Sequence, residues 1–165
     1  MDRRQKIEMA TSTARAAQIR DDICARSVLI GLQTICSDIP DEMITASMSL
    51  AGGTGAASGS CGAYCAGLLG VGLEFNYPVE DERENPQLKM EGVHKFKEYR
   101  DRFIGEWGTV MCPELIGKMF GRTYLFTDPQ QEGEFLTMEG HAEKCAEIVA
   151  AATRIAAEMI LCDEQ

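Results

Sequence analysis

The sequence predicts an all-α fold, a single domain over residues 1–165 built as a bundle of about five helices, and three observations carry that reading. Residues 3–30 hold helix formers with no Pro or Gly. Residues 87–106 and the last thirty or so residues place apolar side chains three or four apart, the repeat of a helix with one buried face. No alternating strand pattern of useful length occurs, and neither an internal repeat nor a dividing linker is present.

Residues 3–36 read as one long helix, or as two with a kink near Asp21. Asp38-Ile39-Pro40-Asp41 then breaks and restarts the chain, with Asp41 placed to cap a short helix over EMITASMSLA. The glycine-rich loop GGTGAASGS (52–60) comes next. Ser60 can cap the central helix, which runs from Cys61 to about Phe75. NYPVEDERENP reads as a polar exposed connector, its EDERE run a solvated turn. Met90, Val93, Phe96, Tyr99 and Phe103 mark the buried stripe of the next helix. Cys112 to Gly117 reads as a short helix with Pro113 in its first turn and Gly117 at its end. GRTYLFTDPQQEGEF reads as irregular. The last helix runs from about Glu134 to Cys162, with Ala142, Cys145, Val149, Ala152, Ala156 and Met159 as its stripe.

Composition narrows the function. A hydrophobic content of 45% and a charged content of 25% are ordinary for a globular chain, which sets disorder and coiled coils aside. A net charge of −10 opposes nucleic-acid binding, because that affinity comes from Lys and Arg displacing condensed counterions. Arg3-Arg4 invites a secretory reading, but Arg15 and Arg20 interrupt the residues after the pair, and no apolar signal segment forms. The uncharged stretch from Met43 to Leu73 is broken by Ser, Thr and eight glycines, and its apolar part is too short to cross a bilayer. A cytoplasmic protein is the expectation. In that reducing compartment, multiple cysteines point to metal ligation or redox chemistry rather than structural disulfides.

Seven cysteines are present: Cys24, Cys36, Cys61, Cys65, Cys112, Cys145 and Cys162. Cys61 and Cys112 each fall at a predicted helix N-terminus, where free N–H groups and the positive dipole end favour a thiolate, which is both nucleophile and metal ligand. Cys65 lies one turn beyond Cys61 on the same face and can join whatever Cys61 joins. Cys24 and Cys145 sit in helical stripes, where a lone cysteine is ordinarily a small buried hydrophobe. Cys36 and Cys162 lie at helix ends and read as incidental. Gly62, Ala66 and Gly70 form a smooth ridge that admits either a cofactor or a close helix, for instance across a homodimer. GGTGAASG has no preceding strand, and its third glycine is misplaced for a dinucleotide fingerprint. His94 and His141 lie beside charged neighbours and read as solvated.

At CGAYCAG, then WGTVMCPELIG, then KCAEIVAAATRIAAEM, the chain resembles the redox-active protein family named for its C_GCAxxG_C_C cysteine pattern, over about residues 15–162. The resemblance places Cys24, Cys61, Cys112 and Cys145 at the four cysteine positions and aligns Gly62 and Ala63 with the start of the motif. Ala66 stands where the family has a glycine. The family is also similar to the cluster-binding part of split-Soret cytochromes, which implies an iron-sulfur cluster held by cysteines; with no C-x-x-C-H here, covalent haem is not implied.

Three functions are expected. The first is an electron-transfer module with a [2Fe-2S] or similar cluster on Cys24, Cys61, Cys112 and Cys145, with Cys65 as a substitute ligand and Gly62 and Ala63 beside the cofactor. Its partner would be an oxidoreductase. The second is a metal-free thiol-disulfide protein in which Cys61 attacks and Cys112 or Cys65 resolves. The third is a structural bundle with zinc on the same thiols. No nucleophile–base pair or phosphate cradle supports a hydrolase or transferase.

Overall fold

Residues 3–33 form two helices, α1 (Arg3–Asp21) and α2 (Cys24–Gln33), because Asp22 adopts a left-handed conformation at φ 53° that ends the first. The computed structural model describes residues 1–161, and among them it is all-helical: α3 (Asp41–Ala46), a 3-10 turn (Ser47–Leu50), α4 (Gly62–Phe75), α5 (Val79–Glu84), α6 (Pro86–Trp107), α7 (Cys112–Phe120), α8 (Pro129–Leu136) and α9 (His141–Ile160) complete the chain order. Nine α-helices among the described residues therefore replace the expected five or so. The surplus arises at short helices with local start signals. Val79–Glu84 forms α5 inside the expected connector, with Pro78 before it. Asp128 accepts from the N–H groups of Gln130 and Gln131 ahead of Pro129, which starts α8 in the stretch expected to be irregular.

Several boundaries move for similar reasons. Pro40, not Asp41, is the N-cap of α3, and Cys61 itself takes the N-cap position of α4 in place of Ser60. Gly121, in the left-handed region at φ 72°, ends α7 four residues beyond Gly117. Gly140, at φ 78°, breaks the chain so that α9 begins at His141 rather than Glu134. Cys162 lies outside the described residues.

Small residues let the helices come close. Ala10, Ala14 and Ala17 of α1 are buried, and a Cβ at Gly31 of α2 would stand 2.5 Å from the Ala10 carbonyl and 2.6 Å from the Ala14 Cβ. In α4, Gly70 gives way to Leu32, and Gly67 gives way to Tyr99 of α6. The glycine ridge of the central helix is thus filled from within the same chain. α9 packs on α1, α2 and α4, burying Ile148, Val149, Ala152, Ile155 and Ala156. The α6 stripe is narrower than expected: Tyr99 and Phe103 are buried, whereas Met90 and Phe96 are exposed, because the helix turns its Gly92 side inward. A second, smaller core gathers Ile116, Tyr124 and Phe135 under α7 and α8.

Between the 3-10 turn and α4 the backbone coils left-handed. Gly52, Gly53, Thr54, Gly55, Ala56 and Ser58 all have positive φ. Three of these are not glycine, and each costs on the order of 1 kcal/mol in that region. Hydrogen bonds offset the strain: Thr54 N–H to Leu50 O at 3.0 Å, Ala56 N–H to Ala51 O at 3.0 Å, Gly59 N–H to Gly53 O at 2.9 Å, and the Phe126 N–H to the Ser58 hydroxyl at 2.8 Å.

Replacing Gly31 by Ala is expected to push α1 from α2 and to cost about 2 kcal/mol of stability. Urea denaturation of the two proteins checks this, and an unchanged midpoint contradicts the packing described.

Candidate functional site

Two backbone bonds place Cys61 beside Cys112. The Cys61 N–H donates to Val110 O at 2.7 Å, and the Cys112 N–H donates to Gly59 O at 2.8 Å, closing an isolated antiparallel bridge between Ser60 and Met111. The N-termini of α4 and α7 are thereby pinned side by side, with Cys61 the N-cap of the first and Cys112 the first residue of the second. Cys24 comes to the same place from the first residue of α2, and Cys145 from the second turn of α9.

All four thiols line one cavity of about 350 Å3. Its other walls are largely apolar, with Met48, Ala56, Phe126, Phe135, Leu136 and Ile148 among them, and its polar wall includes Gln18, Asp22 and Glu132. Cys65 and Cys36 are not part of that lining. The Cys65 sulfur instead stands 3.6 Å from the Thr54 hydroxyl, in the left-handed segment. Cys36 is buried near the end of α2.

Gly62 and Ala63 serve the Cys24 sulfur. A Cβ on Gly62 would lie 2.8 Å from Cys24 Sγ and 2.4 Å from Leu50 O, so only glycine admits the thiol. The backbone N–H groups of Gly52, Ala25 and Ala63 also act on that sulfur, each favouring its charged form. Hydrogen bonding from Cys61, followed by those backbone donors, outweighs burial and holds the Cys24 thiol below the ordinary cysteine range. Cys61 is pushed well above it, because its proton is held in the bond to Cys24 and because it is buried.

This departs from the expectation that Cys61 and Cys112 are the thiolates. Burial raises Cys112 to about 12, with the charge of Cys24 adding to it, and raises Cys145 further. A helix N-terminus supplies roughly half a charge, and here that is less than the desolvation of a thiol in an apolar cavity. Of the four thiols lining the cavity, Cys24 is the one whose pKa is lowered rather than raised. The Cys61 thiol is hydrogen-bonded to Cys24, and Cys112 also acts on it.

A second departure concerns His141, which is mostly buried rather than solvated. Its Nε2 lies 2.6 Å from Asp22 Oδ2, its Nδ1 2.8 Å from Met138 O, and its ring meets Phe135 edge to face. Gln18, almost wholly buried, donates to Asp22 Oδ1 at 2.9 Å. Neither Asp22 nor Gln18 stands out in the sequence. The one available signal is Asp21-Asp22 at the helix break, which marks a cap but not what the cap holds.

Among the described residues, no three His, Cys, Asp or Glu side chains are gathered as a single metal ion requires, and no helix is long and apolar enough to cross a membrane. The fold and site define a helical bundle that brings four thiols from four separate helices to one apolar cavity. The family model described as putative redox-active protein (C_GCAxxG_C_C) matches residues 23–159, and the chain belongs to that family. No curated protein and no solved structure matches the chain.

In metal-free, reduced protein at neutral pH, alkylation is expected to reach Cys24 before Cys112 and Cys145, since only Cys24 has its thiolate favoured. Peptide mass spectrometry after a short iodoacetamide pulse reads the order, and Cys112 leading would contradict these electrostatics.

Proposed function

We propose that the protein is an electron-transfer module whose Cys24, Cys61, Cys112 and Cys145 hold an iron-sulfur cluster. The observation that carries this reading is the common cavity of those four thiols. Four cysteines are the usual ligand set of such clusters, and helices can deliver them from distant points of the chain.

The residues suit the group in two further respects. Four thiols in an apolar cavity cannot all ionise unaided, because burial and mutual repulsion push their protons back on, and iron would supply the missing positive charge. N–H groups aimed at a ligand sulfur, as those of Gly52, Ala25 and Ala63 are at Cys24, are among the features that tune cluster potentials. When bound, the cluster would take up and release one electron. The chain itself supplies the thiolates, the N–H donors and an apolar wall that limits water. The electron would come from or go to an oxidoreductase.

Anaerobic reconstitution with ferrous iron and sulfide tests the proposal. Visible absorption with stoichiometric iron and sulfide is expected, lost in Cys24→Ser, Cys61→Ser, Cys112→Ser and Cys145→Ser and kept in Cys65→Ser and Cys36→Ser. A colourless, iron-free product from the wild-type chain overturns it.

A further inference from the structure

We propose that His141 is a positioning residue that fixes Cys24 relative to Cys145 by gripping Asp22 at the link between α1 and α2. The inference rests on reading those cysteines as parts of one site.

The geometry determines the state of the ring. A backbone carbonyl can only accept, so Nδ1 carries a proton toward Met138 O; a carboxylate accepts, so Nε2 carries one toward Asp22. With both nitrogens donating, the ring is an imidazolium paired with a carboxylate. Each Asp22 oxygen is taken, Oδ1 by Gln18 and Oδ2 by His141, and Asp22 itself faces the cavity.

The two ends of this contact are 119 residues apart in sequence, and each leads directly to a ligand position. Asp22 and Ile23 are the whole link between α1 and α2, and Cys24 is the next residue. His141 is the first residue of α9, one turn before Cys145. Within α1 and α2 the link is tied locally, with the Asp22 N–H donating to Gln18 O at 2.9 Å and Ile23 O accepting from the Ser27 N–H at 3.0 Å, and His141 reaches it from α9. An imidazolium at a helix N-terminus faces the unfavourable end of the dipole, and Asp22 at 2.6 Å supplies a counter-charge against it.

The charged groups acting on His141 are Asp22 from the link and Glu143 from its own helix; from the α8 side it meets the neutral Phe135 ring and Met138 carbonyl. Burial lowers its pKa, but the bonds to Met138 and Asp22 and the charges of Asp22 and Glu143 win, and the net shift is upward. A histidine raised in the folded state contributes its stability fully below the ordinary range near 6.5 and loses it as the pH rises through the raised value. The grip therefore holds in mild acid and slackens in base.

The test uses metal-free, reduced protein, so it does not depend on whether iron binds, and failure of the cluster reading leaves its outcome unaltered. Wild type, His141→Gln and Asp22→Asn are pulsed with iodoacetamide at about pH 6 and about pH 9, either side of the histidine range. Labelling of each cysteine is read by mass spectrometry. At the lower pH the variants are expected to label Cys24 and Cys145 on the order of tenfold faster than wild type, the size of one lost charge-assisted hydrogen bond. At the higher pH the ratio falls toward one, since wild type has by then lost the same contact. Cys36 is the internal control and keeps its rate. A ratio indifferent to pH, no acceleration, or equal acceleration at Cys36 overturns the proposal. So does an NMR titration of wild type in which the His141 ring deprotonates at or below the ordinary value.

Discussion

The reciprocal pair of backbone bonds between residues 59–61 and 110–112 is the constraint on which the site depends. Two helices that start side by side present their starts to the same space, and here one start is capped by Cys61 and the other begins with Cys112. The remaining two thiols need only reach that space from the other side. α2 does so because Gly31 lets it lie against α1 and Gly70 lets it lie against α4, and α9 does so along the alanine-rich face it shares with both. Removing side-chain bulk from helix interfaces is what brings reactive side chains together.

Much of this is legible in the sequence, and for definite reasons. Helical periodicity survives any tertiary arrangement, so the long helices, the break near Asp21 and the stripe of α9 can be read directly. Cys24, Cys61, Cys112 and Cys145 are separable from Cys36 and Cys65 because the family pattern names their positions, and all four line the cavity. The short helices α5 and α8 are hidden because six or eight residues carry too little period to see, and only the Asp128-Pro129 cap announces the second. The charge state of the thiols is hidden for a different reason. Helix ends are local and visible in sequence, whereas burial is a property of the whole fold, and burial decides the outcome. His141 escapes on the same ground: its neighbours in sequence are polar, but its neighbours in space are Asp22, Met138 and Phe135.

The left-handed segment joins strain to function. Thr54, Ala56 and Ser58 occupy a conformation that side chains avoid, and the hydrogen bonds that hold them there also fix the direction of the Gly52 N–H. That N–H meets the Cys24 sulfur. A relaxed loop of the same length would have no reason to place that N–H beside a buried thiol, and the bond from Cys61 would then act on the sulfur with one backbone donor fewer. The Ser58 hydroxyl extends the same device to Phe126, which also lines the cavity.

The first and last helices of the bundle are packed together, with the Arg3 side chain bonded to the Leu161 carbonyl and α1 lying along α9. On the ribosome this means that α1 waits, without its main partner, until every intervening helix and then α9 itself has emerged. The last thiol of the four likewise arrives only with α9. A site so distributed cannot assemble on a partial bundle, and its completion is itself a sign that all of the helices from α1 to α9 have been made.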